Sequence, residues 1–154
     1  MNYLIVVLVI LLFQIIYLSG EIFIVAITRS SKESTYKDKS IKNKEYEWFR
    51  EYGKEVVQVS EDKLQLVAYE FLHKEKKNTW VISIHGHGKS AITGSRPQKF
   101  FYNGWNVLCP DLRAHGKSEG NYVGMGWLDR KDILTWVNLA RKNQRGIGNA
   151  CMNL

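Results

Sequence analysis

"WVISIHGHGKS", Trp80 to Ser90, is the stretch on which the fold turns. An apolar run passes into two His-Gly pairs and closes on Gly-Lys-Ser, the ending of a phosphate-binding loop. The same tripeptide returns in "DLRAHGKSEG", Asp111 to Gly120, where it also completes a Gly-x-Ser-x-Gly. Phosphate binding, serine hydrolysis and plain turn formation therefore compete for the same residues.

Phosphate binding fails on spacing. The loop needs a glycine five positions before its Gly-Lys-Ser, where the backbone must turn to aim N–H groups at the phosphates. That position holds Ser83 in the first copy, inside a strand, and Asp111 in the second, a negative charge where phosphate would lie. The nucleophile elbow fails on context. It requires a strand running straight into a strained turn, with a helix leaving at once. Before Ser118 the strand has already ended at Cys109-Pro110, and "NYVGMGW" follows with two more glycines. Ser118 is thus expected to be a hydrogen-bonding turn residue.

Working outward, "TWVISIH" predicts a strand buried on both faces, because its apolar residues are successive rather than alternating. "WNVLCP" predicts another, stopped by Pro110. Upstream, "EVVQVS" and "LQLVAYEFL" flank Glu61-Asp62-Lys63 as a hairpin, with Leu64, Leu66 and Ala68 on one face of its second strand. Residues 90–102 form a helix candidate weakened by Gly94 and Pro97, and "EYEWFREYGK" a short amphipathic lead-in. "GWLDRKDILTWVNLARKN" is the clearest helix, with Leu128, Ile133, Trp136, Val137 and Ala140 near one face and Asp129, Arg130 and Lys131 turned outward. A hairpin followed by strand–helix–strand–helix is an α/β pattern with a parallel element. The last 12 residues show no usable periodicity.

The chain of 154 residues has room for one domain, but its 45% hydrophobic content is unevenly spread. From Asn2 to Gly20 there is no charge, and after Glu21 "IFIVAI" continues the run. About 20 apolar residues cross a ~30 Å hydrocarbon layer, so a transmembrane anchor over residues 3–27 is expected. A cleaved signal peptide fits less well, lacking a basic start and a small-x-small cleavage site. Glu21 would stand near an interface, where a carboxylate is tolerated. Residues 28–53 then read as a basic linker and lead-in. Six basic and two acidic residues lie between Arg29 and Lys44, a segment suited to anionic head groups and favouring a cytoplasmic flank. This clustering accounts for much of the net charge of +7 without nucleic acid, since the one aromatic there, Tyr36, does not make the interleaved aromatic and basic pattern of a single-strand binder. Cys109 and Cys151 form neither a ligand spacing nor a disulfide framework, and the four histidines are scattered, so no metal or cofactor is called for.

Together, "VISIHGHG", "GWNVLCPDLRAHGKSEG" and "YVGMGWLDRKDILTWV" resemble the N-terminal half of α/β-hydrolases over residues 54–142, with residues 143–154 an unpatterned tail. The branch they resemble is the membrane-anchored bacterial serine hydrolases of the serine-aminopeptidase-like group. The resemblance implies an oxyanion hole at His87 and Gly88, the donor being the His87 backbone N–H, which would stabilise a developing charge by several kcal/mol. It makes His85 and Gly86 supports of that loop. Asp111, Arg113, His115, Gly116 and Ser118 become a structural turn after the fourth strand. It also implies that the nucleophile, the acid and the catalytic histidine come later, in that order, beyond the residues matched here. No catalytic residue is therefore assigned, and a chain without them is expected to be inactive alone. In the family the strand at Trp80–Ile84 lies against a fifth strand, so here an apolar edge is expected. Membrane lipid is the expected partner of the N-terminal helix, placing the chain as a single-pass protein of the cell membrane. A small ester or amide substrate is expected only for a full-length relative. The competing expectation is a non-catalytic membrane-associated binding or interaction module.

Overall fold

The computed structural model of the protein describes residues 2–28, 43–74 and 79–151. Alternation of β-branched and polar residues in "KEVVQV" gives β1 (Lys54–Val59), and β2 (Gln65–Phe71) returns against it antiparallel, Val57 facing Val67. The turn is closed by Ser60, whose N–H donates to the Leu64 carbonyl and whose hydroxyl oxygen accepts from Leu64 N–H. β3 (Trp80–Ile82) and β4 (Asn106–Pro110) complete a four-stranded sheet in the order β1-β2-β4-β3. β4 is antiparallel to β2 and parallel to β3, so the sheet is mixed and β4, buried at every residue, lies inside it.

Helices cover both faces. β2 alternates between two layers. Val67, Tyr69 and Phe71 point to one, with Val107 and Cys109 of β4, and Leu66 and Ala68 point to the other, with Leu108. The first layer is closed by α2 (Asn43–Tyr52), α3 (Ala91–Gly94) and α4 (Pro97–Phe101), through Phe49, Ala91 and Phe101. Trp48 of α2 stacks on Phe71 with ring centroids 5.2 Å apart, so the lead-in helix is an integral part of the core. The second layer is closed by α5 (Asp129–Cys151), whose Trp136 is only 1% exposed. Burying a side chain of that size contributes roughly 2–3 kcal/mol.

Several expectations need correcting. The helix candidate over residues 90–102 is two short helices, because Pro97 cannot continue α3 and instead starts α4 at its first position. β3 is three residues long and only half-buried, although Val81 packs on one layer and Trp80 and Ile82 on the other, since it is the sheet's edge and nothing among the described residues pairs with its outer side. Asp129 is buried rather than outward, because it opens α5 and its carboxylate accepts the Gly126 N–H at 2.8 Å. α5 also runs on through the segment without apolar periodicity, to Cys151.

α1 (Asn2–Ile27) is exposed along its length and is long and apolar enough to cross a membrane between Tyr3 and Ile27. Its end does not hang free. Ile27 accepts a hydrogen bond from Val123 N–H at 2.7 Å, and Thr28 forms an antiparallel bridge with Tyr122. Most of the basic segment from Arg29 to Lys44 lies outside the described residues.

Candidate functional site

Two loops leave the same end of the sheet, one after β3 and one after β4, and one carboxylate ties them together. Asp111 follows β4 directly and is 1% exposed. Its Oδ1 accepts the Ala91 N–H at 2.6 Å, just after the first Gly-Lys-Ser, and its Oδ2 accepts the Lys117 N–H at 2.9 Å, within the second. The anion held by these two loops is thus the protein's own side chain. Burial pushes the Asp111 carboxyl up, and the two N–H bonds oppose that by favouring the charged form. Gly116 passes this carboxylate at φ +48°, and a Cβ there would come within 2.1 Å of Asp111 Oδ2. Only glycine fits.

Ser118 is fully buried, which removes it from any substrate. Its hydroxyl donates to the Asp111 carbonyl at 2.6 Å and accepts from Val67 N–H at 2.9 Å, stitching the loop to β2. Arg113, also buried, donates from Nε and Nη2 to the Asp132 carboxylate of α5 at 2.7 and 2.9 Å, and from Nη1 to Asp62 in the hairpin turn at 2.9 Å. The Asp132 hydrogen bond, ahead of that from Asp62, drives the guanidinium pKa upward; Asp62 is held low by Ser60 and then by Arg113. Arg113 therefore bridges hairpin, turn and α5, and its charge is fully engaged. Lys117 reaches out to Glu55.

The histidines organise the first loop. His85 accepts the Leu112 N–H on Nε2 at 3.0 Å, which fixes its proton on Nδ1, donating to the Gly86 carbonyl at 2.8 Å. Burial pushes its pKa down to about 4, so the ring stays neutral. His115 repeats the arrangement: Nε2 accepts the Gly88 N–H at 3.3 Å, and Nδ1 donates to the Arg113 carbonyl at 2.9 Å. The two imidazoles lie 5.0 Å apart. Because Gly88 gives its N–H to His115, only His87 of the expected pair has a backbone N–H without an acceptor among the described residues. His87 is exposed and lines a cleft of about 520 Å³.

All the residues of the predicted turn thus come together in one bonded cluster. The sequence missed the part played by the hairpin and by α5, through Asp62 and Asp132. It also missed α1, whose Ile24, Val25 and Ala26 line the same cleft as His87. A carboxylate three residues into a helix is the only signal that could have pointed to Asp132. Among the described residues no group of three or more His, Cys, Asp or Glu could hold a metal. Cys109 is buried in the core, and burial raises its thiol to about 12.

Two solved structures of an esterase from Pyrococcus furiosus match the chain, with TM-scores of 0.51 and 0.53 at 28% and 30% sequence identity. Each match covers 59% of this chain and 36% of the esterase. An α/β-hydrolase from Vibrio vulnificus matches with a TM-score of 0.48 at 20% identity, over 70% of this chain and 37% of that one. No family model matches, and no curated protein does. The class the two esterase structures define is the α/β-hydrolase-like fold. Within it the chain is related to hydrolases such as the archaeal esterase, and spans little more than a third of the esterase's length.

Proposed function

We propose that this chain is the N-terminal part of a membrane-anchored α/β-hydrolase acting on an ester or amide, with α1 as its single membrane span. In this part the His87 backbone N–H is the oxyanion donor, and the Asp111–Ser118 cluster is the rigid floor that aims it. The observation that carries the proposal is the division of labour between adjacent amides. Gly88 N–H is spent on His115, whereas His87 N–H has no acceptor among the described residues, and His87 lines a cleft beyond the end of β3. A preorganised donor of this kind stabilises charge only where an attacking group creates it. Ser118 is sealed in the turn, and Ser90 caps α3. The sequence motifs ally the chain with the serine-aminopeptidase-like branch.

The test is a fluorophosphonate probe applied to the purified 154-residue chain in micelles. No serine should be labelled, and stoichiometric labelling of any serine would overturn the assignment of these residues to the supporting half of the site.

A second reading rests on the β3 edge. Residues 79, 106, 83 and 108 exchange the β3–β4 hydrogen bonds, so the backbone groups of Trp80 and Ile82 point to the open side. A non-catalytic interaction module would receive a partner's strand there by β-augmentation. Stoichiometric co-purification of a partner from membranes, lost when Ile82→Pro removes an edge N–H, would favour it over the hydrolase.

A further inference from the structure

The cleft beside His87 has a chemistry of its own. It is lined by Ile24, Val25 and Ala26 of the last turn of α1, by Val123, and by His87 and His115. No Asp, Glu, Lys or Arg lines it among the described residues. A substrate with a free ammonium, carboxylate or phosphate at this point would lose its hydration and meet no countercharge. A neutral hydrocarbon chain loses nothing and removes apolar surface from water. The volume, about 520 Å³, is that of a small-molecule pocket.

The position of the cleft points the same way. A span of about 20 residues counted from Tyr3 reaches the edge of the hydrocarbon near Ile22, beside Glu21. The turn from Ile24 to Thr28 then stands at head-group depth, and it is there that Val123 and Tyr122 are hydrogen-bonded to it. The loop that follows exposes Tyr122, Met125 and Trp127, and the Arg130 guanidinium lies 3.6 Å from the Trp127 ring centroid. Amphipathic aromatics and an arginine suit that layer of a membrane.

We propose that this cleft takes the acyl chain of a neutral ester or amide amphiphile directly from the bilayer, with α1 serving as one wall of the binding site as well as the anchor. The carbonyl of such a molecule would come to the His87 N–H while its chain lies against Ile24, Val25 and Val123. This rests on the hydrolase reading for the carbonyl, but not for the chain.

The experiment uses the full chain in nanodiscs of neutral phospholipid and two photoprobes: a long-chain methyl ester with a diazirine in its acyl chain, and a diazirine alkane of equal length. Mass spectrometry locates the adducts. Saturable labelling by the ester at residues 24–26 and at Val123 is expected. It should fall about tenfold in Ala26→Trp and, independently, in Val123→Trp, the equivalent of two methylenes no longer taken from water. Labelling spread evenly along α1 and indifferent to both tryptophans would overturn the proposal. So would displacement of the ester by an amine-terminated dipeptide amide. His87→Pro, which removes the N–H, should weaken labelling by the ester and leave the alkane unchanged. Ester labelling of that variant as strong as that of the native chain would keep the acyl site and discard His87 as oxyanion donor.

Discussion

Gly88-Lys89-Ser90 and Gly116-Lys117-Ser118 are the same tripeptide, each just beyond a strand of the same sheet, and the fold uses them differently. In the first copy Ser90 caps α3, its hydroxyl oxygen accepting from Thr93 N–H while the Thr93 hydroxyl accepts from Ser90 N–H. In the second copy Ser118 belongs to no helix and bonds across to β2. Both copies converge on Asp111, one through Ala91 N–H and one through Lys117 N–H. The lesson is that a motif's function lies in what its amides face. Here they face internal acceptors, Asp111 for Ala91 and Lys117, His115 for Gly88 and Thr93 for Ser90, which satisfy donors that a nucleotide binder would leave for phosphate.

The comparison can be broken at its shared member. Asp111→Ala should strand two buried N–H groups and lower unfolding stability by roughly 3–5 kcal/mol, measured by denaturant titration of the micelle-solubilised chain. A loss under about 1 kcal/mol would show that the two loops stand independently.

Below that in size comes the effect of pH. The folded pKa of His85, about 4, lies beneath its unfolded value of 6.5. The unfolded chain therefore binds the extra proton first, and the stability tied to the neutral ring is complete above pH 6.5 and lost as pH falls toward about 4. The loss should reach up to about 3 kcal/mol. Unfolding midpoints from pH 7 to pH 4 should slope in the native chain and flatten in His85→Gln; an unchanged slope in that variant would assign the pH dependence elsewhere.

The finest test sets the two serines side by side. Ser118→Ala orphans the buried Val67 N–H and should cost about 2 kcal/mol. Ser90→Ala removes a helix cap and should cost about 1 kcal/mol. Thermal unfolding of both variants under one condition decides the ranking, and a reversed order would mean that α3 rather than the second turn holds the loops together.

How far the sequence reached varies with the range of the interactions involved. The hairpin, β4 and the inward face of α5 follow from local periodicity, because a strand or helix with one apolar stripe has to bury it; Leu128, expected on that face, instead precedes α5 and is exposed. The broken helix after Ser90 needed only the position of Pro97. Asp129 misled because its neighbours in sequence are charged and outward, whereas its own carboxylate folds back onto the Gly126 N–H of the preceding turn. Asp132 offered only its place in the first turn of α5 as a signal, since its partner Arg113 lies 19 residues away.

The residues by themselves determined the apolar helix, the strand order's raw material and the failure of both Gly-Lys-Ser copies as phosphate loops, all of which depend on spacing along the chain. Only the tertiary structure decided that Asp111 fills both loops, that Gly88 surrenders its N–H while His87 keeps its own, and that the end of α1 walls the cleft. Those facts depend on directions in space between segments that are distant in sequence, and no local pattern encodes a direction.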